Sequence, residues 1–187
     1  VRQENFVLTL GERLFDPLAD EVVTQDKWNE ISHGGTDLRL VQFDGPIQES
    51  WVESLVDSGL TPVQYIHPYT YITWADASST DFAISLPHDR RPGDFLNGYR
   101  VLPKWRNLND QPIDVKMIVY RGTDIQRTVE HLEELGVIRI THVPIDHRFE
   151  VFSFVAPGSL FLDISTLQGV YTIQPKPTDG GLRSEMS

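Results

Sequence analysis

The stretch LRLVQFDGPIQESW, residues 38–51, contains the change of pattern that decides the fold. Its first six residues alternate as they do in a strand whose two faces are both partly covered. Asp44, Gly45 and Pro46 interrupt that run, and Pro suits the first turn of a helix because the N–H that it lacks has no partner there. The apolar residues that follow lie on one helical stripe: Ile47, Trp51, Leu55 and Val56. The stretch therefore predicts a strand that is followed directly by a helix.

Two more strands are predicted after this helix. Gly59 stands where a helix commonly ends in a left-handed residue. Residues 61–66 and 69–74 are both strand-like, and His67 and Pro68 separate them. The unit has the order strand, helix, strand, strand.

The same pattern occurs a second time further along the chain. Gly45 and Gly122 are separated by 77 positions, and so are Gly59 and Gly136. In the second copy residues 115–120 are apolar, Thr123 is a favourable N-cap, and residues 137–143 and 149–155 are strand-like. Its helical stripe consists of Ile125, Val129, Leu132 and Leu135. The sequence therefore indicates an internal duplication.

Both copies continue with a short helix and a final strand. Residues 81–86 and 160–165 suit the second helices, residues 170–173 suit a last strand, and residues 99–102 are its less regular equivalent in the first copy. Each copy then has the order βαββαβ, in which an antiparallel sheet carries two helices on one face. We predict an α+β fold with two tandem ferredoxin-like units.

Four segments follow from this reading. Residues 1–36 form an N-terminal arm, with two short strands around Gly11 and Glu12 and a helical turn within residues 26–31. Residues 37–110 are the first unit with its connecting segment, and residues 111–177 are the second unit. Residues 178–187 have no apolar periodicity and are predicted to be a flexible tail.

The composition excludes several classes of protein. A formal net charge of -11 without a basic patch argues against nucleic-acid binding. The absence of cysteine excludes disulfides, thiolate catalysis and zinc–thiolate sites. No apolar run approaches the roughly 20 residues of a membrane span, and the first residues do not resemble a signal peptide.

No set of residues in the sequence has the spacing of a catalytic or metal site. His131 and Glu134 lie one helical turn apart, and His142 and His147 flank a turn, but both pairs have ordinary structural explanations. Ser32 next to His33 lacks the supported turn that a nucleophilic serine needs. We expect no catalytic residue, no metal and no cofactor.

Two other features carry weaker signals. Gly45 and Gly122 each lie between a strand and a helix, where free N–H groups bind anions, although a simple turn explains them as well. Four aromatic residues lie close together in the sequence and are predicted to form a protein contact surface: Tyr65, Tyr69, Tyr71 and Trp74.

Residues 38–76 resemble the N-terminal prosegment of bacterial secreted subtilisin-like serine proteases. Those segments share a strand that ends in V-Q-F-x-G-P-I, a helix with an early Trp, and a strand pair around an aromatic-x-aromatic run. The matching residues here are Val41, Gln42, Phe43, Gly45, Pro46, Ile47, Trp51, Tyr69 and Tyr71. The arm at residues 12–20 and the tail at residues 178–187 are similar to what flanks these units. Residues 89–94 depart from the family, because a more apolar strand is expected there.

The resemblance implies a non-enzymatic propeptide that assists the folding of its protease and temporarily inhibits it. The partner would be the subtilisin-like catalytic domain, bound in cis or non-covalently after cleavage, outside the cytoplasm. Prosegments of this kind lay the free face of their sheet over two surface helices of the enzyme. Their tail enters the substrate cleft as an added strand. The tail residues here are Leu182, Arg183, Ser184, Glu185, Met186 and Ser187.

Two alternatives belong to other functional classes. A tandem ferredoxin-like sensor would bind an amino acid at the strand-to-helix glycines, Gly45 and Gly122. A structural adhesion or docking module would use the four aromatic residues. Removal of the chain after Pro177 separates the first two hypotheses, because a prosegment loses inhibition whereas a sensor keeps its ligand.

Overall fold

The computed structural model describes residues 8–10, 13–15, 27–29, 35–83 and 86–177. In the N-terminal arm, β1 (Leu8–Leu10) and β2 (Arg13–Phe15) form an antiparallel pair, and a short 3-10 helix covers Lys27–Asn29. These elements lie where the sequence predicts two short strands and a helical turn.

The first half of the chain forms a four-stranded antiparallel sheet with two helices. Its strands are β3 (Asp37–Phe43), β4 (Thr61–Ile66), β5 (Thr70–Ala75) and β6 (Asp89–Asp94). Its helices are α1 (Glu49–Asp57) and α2 (Ala77–Ala83). The strand order is β4-β5-β3-β6, and each neighbouring pair is antiparallel. A four-residue helix, α3 (Asn97–Arg100), and a 3-10 helix at Pro103–Trp105 follow the sheet.

The second half repeats this arrangement. Its elements are β7 (Pro112–Tyr120), α4 (Ile125–Glu134), β8 (Ile138–Pro144), β9 (Phe149–Pro157), α5 (Phe161–Ser165) and β10 (Val170–Pro175), with a 3-10 helix at Gly158–Leu160 before α5. The order β10-β7-β9-β8 is also antiparallel throughout. The chain is an α+β protein with two antiparallel four-stranded sheets. No described helix has the length and apolar character needed to cross a membrane.

Each half has its own core between the sheet and its helices. In the first half Val41 and Phe43 of β3 pack with Leu55 of α1. In the second half Met117 of β7 packs with Leu132 of α4. All five side chains are almost fully buried. The predicted apolar helix stripes thus face the sheets, except that Val56 is 53% exposed.

The duplication extends to the way the first helix of each half ends. Gly59 and Gly136 have φ values of 96° and 86°, a conformation that is unfavourable for residues with a Cβ atom. The following residues, Leu60 and Val137, donate their N–H groups to the carbonyl five residues earlier, at 3.0 Å and 3.1 Å. This is the Schellman arrangement, and it confirms that both glycines terminate helices.

The helix starts differ from the sequence-based prediction. Pro46 lies in a bend, and α1 begins three residues later at Glu49. The N-cap of α4 is Asp124 and not Thr123, because the Asp124 carboxylate accepts a hydrogen bond from the Arg127 N–H at 3.1 Å. The Thr123 side chain is buried instead and its hydroxyl has no partner in the described part of the chain.

The last strand of the first sheet was expected at residues 99–102, and this expectation is wrong. The strand is β6, within the segment that departs from the family pattern, and residues 97–100 form α3. As the edge of the sheet, β6 pairs only with β3. An edge strand accepts Pro92 and polar residues because one of its sides faces no neighbouring strand.

The two sheets pack against each other through the faces that their own helices leave free. Trp74 of β5 contacts Tyr120 of β7, with ring centroids 5.1 Å apart. The buried residues from the first half are Leu38, Leu40, Val63, Ile72, Phe95, Leu96 and Tyr99, and those from the second half are Phe149 with the partly buried Ile118, Tyr120 and Tyr171. The central strands of the first sheet therefore have no free face, contrary to what the resemblance implies for a single unit.

Buried and partly buried polar contacts join the same two halves. The Asp37 carboxylate accepts a hydrogen bond from the Gly169 N–H at 2.9 Å, and Arg100 donates to the Leu167 carbonyl at 3.0 Å. Arg148 donates to the Val63 carbonyl at 3.2 Å. These bonds add directional contacts to an apolar interface, so the relative position of the two sheets is specified.

Candidate functional site

The helix-free face of the second sheet is only partly covered by the first half. Tyr120 and Phe149, which are partners across β7 and β9, lie under the first sheet. Because side chains alternate along a strand, the register identifies the residues that share this face. Beyond the contact with the first half they include Asp114, Lys116, Ile138, Thr141, Val143, Ser153 and Val155, and we call these seven residues the open face.

The open face carries exposed apolar side chains at one edge of the sheet. Ile138 is 57% exposed and Val143 is 59% exposed, and both belong to the edge strand β8. Ile145, just after this strand, is 54% exposed. Large apolar side chains that cluster on a surface commonly mark contacts with another macromolecule. The unpaired backbone of an edge strand can also accept an added strand.

The edge strand β8 is irregular near its start. Its register with β9 shifts between Ile138 and Thr141, and Arg139 has a φ of 57°. Such a bulge increases the local twist and interrupts the regular row of backbone donors and acceptors. This feature disfavours extended pairing with another sheet edge, so the side chains of the open face are a better contact surface than the full length of the strand.

The chain leaves the second sheet beside the open face. Pro175, at the end of β10, is the partner of Val115, and the Lys176 N–H donates to the Asp114 carbonyl at 2.8 Å. Asp114 is in turn the partner of Val155 on β9. Lys176 therefore lies at the end of the sheet that carries Asp114, Val155 and Ile138 of the open face. The predicted tail residues, from Leu182 to Ser187, lie outside the described residues.

The four predicted aromatic contact residues do not form one surface. Tyr65 and Tyr71 lie edge to face with ring centroids 5.6 Å apart, and Tyr71 packs against the core beneath the helices. The Tyr65 hydroxyl accepts a hydrogen bond from the Tyr69 N–H at 3.2 Å. Trp74 points to the opposite face, between the two sheets. Of the four, Tyr65 is the most exposed, at 43%.

The histidines considered as ligands lie at separate places. His142 stacks on Phe152, with centroids 5.0 Å apart, and its Nδ1 is 3.5 Å from a carboxylate oxygen of Glu150. His131 lies on α4 and His147 in the turn before β9. Among the described residues no group of three His, Asp or Glu side chains is placed to hold a metal ion. Ser32 and His33 fall outside the described residues.

The two strand-to-helix glycines have different surroundings. A Cβ at Gly122 would lie 2.2 Å from Cε2 of Tyr120, whereas a Cβ at Gly45 would meet nothing within 4 Å. Neither glycine belongs to the first turn of its helix, since α1 begins at Glu49 and α4 at Ile125. Their N–H groups are thus not part of a helix N-terminus, which is the feature that the anion-binding hypothesis requires.

A group of titratable residues at the start of β6 was not predicted from the sequence. His88 stacks on Trp51, with centroids 4.2 Å apart and an interplanar angle of 15°, and its Nδ1 is 3.8 Å from Asp44 Oδ1. Both carboxylate oxygens of Asp89 are buried without a hydrogen-bond partner in the described part of the chain. Burial, and then the charge of Asp44, raise the pKa of Asp89 to about 7. The residues come together only once β6 is placed at Asp89–Asp94, so their spacing in the sequence gave no signal.

Comparison with known proteins gives one family match. A family model described as "Domain of unknown function (DUF8729)" matches residues 9–85. The match covers the arm and the first half through α2, and it assigns no activity. No curated protein and no solved structure gives a significant match to the chain.

Proposed function

We propose that the chain is the prosegment of a subtilisin-like serine protease, which it helps to fold and temporarily inhibits. The first support is the resemblance of residues 38–76 to prosegments of that family. Val41 and Phe43 lie in the core under α1, and Trp51 is half-buried on α1. The resemblance therefore concerns residues that build the first half and not a chance run of surface positions.

The second support is the topology. In each half the strands, numbered in order of appearance, lie in the sheet as 4-1-3-2, and all neighbours are antiparallel. With a helix after the first strand and another after the third, this is the pattern of a ferredoxin-like unit. We propose that the chain contains two such units in tandem, as the prosegment hypothesis requires.

The observation that carries the proposal is the relation between the open face and the end of β10. A prosegment must cover a surface of the enzyme and at the same time direct its tail into the substrate cleft. Ile138 offers an exposed apolar side chain at the end of the sheet where the chain departs beside Asp114, and Val143 adds a second one further along β8. One docking orientation would thus serve both contacts, and it would use the second half.

The first half would have a different role. Its own sheet face is buried against the second half, so it would not lie on the enzyme with that face. Instead it would hold Phe149 and Tyr120 in place and fix the orientation of the second sheet. This assignment explains how a tandem arrangement can present one contact surface.

The tail would occupy the cleft as an added strand. Main-chain hydrogen bonds would supply affinity, and alternate side chains would enter subsites. Leu182 would be the apolar anchor of the tail. While tail and enzyme are covalently joined, the effective concentration is on the order of millimolar, so a moderate contact is saturated until cleavage. Such a protease would work outside the cytoplasm.

The first test is the reading frame beyond Ser187, where the proposal requires a domain with an Asp, His and Ser catalytic set. The second uses that catalytic domain as a purified mature enzyme. Added full-length chain should slow hydrolysis of a chromogenic peptide competitively, and a chain that ends at Pro177 should inhibit far less. Unchanged hydrolysis with saturating full-length chain would reject the proposal. Equal inhibition by the two forms would reject the assigned role of the tail.

A further inference from the structure

We propose that the buried carboxyl group of Asp89, beside Asp44, is a pH-sensitive contact that holds the start of the edge strand β6 to the first sheet in mildly acidic solution and loosens it in alkaline solution. This device goes beyond the inhibitory function and does not depend on it.

The geometry at the start of β6 explains why the ionisation of Asp89 matters. Asp89 is the partner of Phe43 across β3 and β6, so its backbone is fixed at the end of the sheet. Its two carboxylate oxygens are shielded from solvent and accept no hydrogen bond from the described residues. A neutral carboxyl group tolerates this position far better than a carboxylate, which loses its hydration without compensation.

The neighbouring charge raises the pKa of Asp89 in the same direction as its burial does. Asp44, in the turn after β3, is the acid whose charge opposes ionisation of Asp89. His88 stacks on Trp51, and its Nδ1 lies 3.8 Å from the Asp44 carboxylate. The helix α2 also packs against β6, and its acidic residue Asp81 is exposed. Burial and the charge of Asp44 therefore both favour the neutral form of Asp89, and its ionisation weakens the contact.

Two backbone hydrogen bonds outside the sheet ladder hold the start of β6. The Asp44 N–H donates to the His88 carbonyl at 3.0 Å, and the Asp89 N–H donates to the Leu86 carbonyl at 3.4 Å. On its other side β6 has no strand partner. An edge strand that pairs on one side only can open locally at its end without unfolding of the core. Opening would return Asp89 to water and to its ordinary pKa.

Hydrogen exchange of the full-length chain tests the proposal. If opening returns the Asp89 pKa from about 7 to 3.8, the opening equilibrium rises by up to about tenfold between about pH 6 and pH 8. After correction for the intrinsic exchange rate, the amides of residues 89–94 should show this increase. Amides of β7, in the centre of the second sheet, should not.

Two variants make the result specific. Asp89→Asn should remove most of the pH dependence, whereas Asp81→Asn, which changes an exposed acid on the adjacent helix, should leave it intact. The same pH dependence in Asp89→Asn, or corrected rates that do not change with pH in the native chain, would overturn the proposal. Should Asp89→Asn fail to fold, the carboxyl carbon shift of Asp89 in the native chain decides. A titration midpoint near 7 supports the proposal, and a midpoint below about 5 overturns it.

Discussion

Arg100 Nη2 donates to Asp37 Oδ2 at 3.0 Å, although the two residues are 63 positions apart and both side chains are buried. Arg100 also donates to the Leu167 carbonyl, and Asp37 accepts from the Gly169 N–H. Burial lowers the pKa of Arg100, and the charge of Asp37 opposes that shift. The pair thus lies at the junction of the two halves.

Loss of one partner of this pair should destabilise the whole chain. Arg100→Met would remove the guanidinium that pairs with the buried Asp37 carboxylate, and breaking a buried ion pair typically costs about 3–5 kcal/mol. Arg127→Met is the matched control, because Arg127 pairs with Glu130 on the surface of α4, with both side chains about half exposed. Exposed pairs of this kind contribute about 0.5 kcal/mol or less. Urea unfolding followed by Trp fluorescence measures both, and equal losses would contradict a special role for Arg100.

The two helix-ending glycines should differ in their tolerance of a side chain. Both have positive φ, so an L side chain costs roughly 1–2 kcal/mol at either site. A Cβ at Gly59 would in addition lie 2.9 Å from the Ser79 hydroxyl, whereas a Cβ at Gly136 meets nothing within 4 Å. Gly59→Ala should therefore lower the free energy of unfolding more than Gly136→Ala does. The double change Gly59→Ala with Ser79→Ala should recover part of the difference.

The sequence was sufficient to predict the repeated part of the fold. Gly59 and Gly136, with an apolar stripe before each, defined the ends of α1 and α4, because a left-handed helix end has a strong local residue preference. The pattern of residues 38–43 likewise identified β3. These features are local, so they can be recognised without knowledge of tertiary contacts.

Other features could not be predicted because they depend on distant contacts. The strand β6 has no alternating pattern, and only its pairing with β3 makes it a strand. The contact between Trp74 and Tyr120 buries the sheet face that the resemblance leaves free. The open face can be identified only once that contact is known, because Ile138 and Phe149 lie in the same sheet but only Phe149 is buried.

The stability of the chain should fall as the pH rises towards neutrality. The folded pKa of Asp89, about 7, lies above its unfolded value of 3.8. The folded state therefore binds the extra proton between these values, and its advantage is fully present below about pH 4 and lost by about pH 7. Asp89→Asn should remove this contribution and make the chain more stable than the native form at pH 8. Asp76 contributes to the pH dependence of stability in the opposite sense, because hydrogen bonds from Ser79 and Ser78 lower its pKa. Urea midpoints for both proteins across this pH range provide the measurement, and a native-like pH profile in Asp89→Asn would contradict it.

The open face should be required for inhibition but not for folding. Ile138→Glu places a charge on a side chain that is already 57% exposed, so the free energy of unfolding should change by less than about 0.5 kcal/mol. In a complex that covers this side chain, the buried and unpaired carboxylate should weaken binding to the mature protease by at least about tenfold. Val56→Glu is the matched control, since Val56 is 53% exposed but lies on α1, in the layer on the other side of the first sheet. Inhibition constants for both variants, measured with the same protease, separate the two surfaces: a larger loss with Val56→Glu would transfer the contact from the second half to the helices of the first.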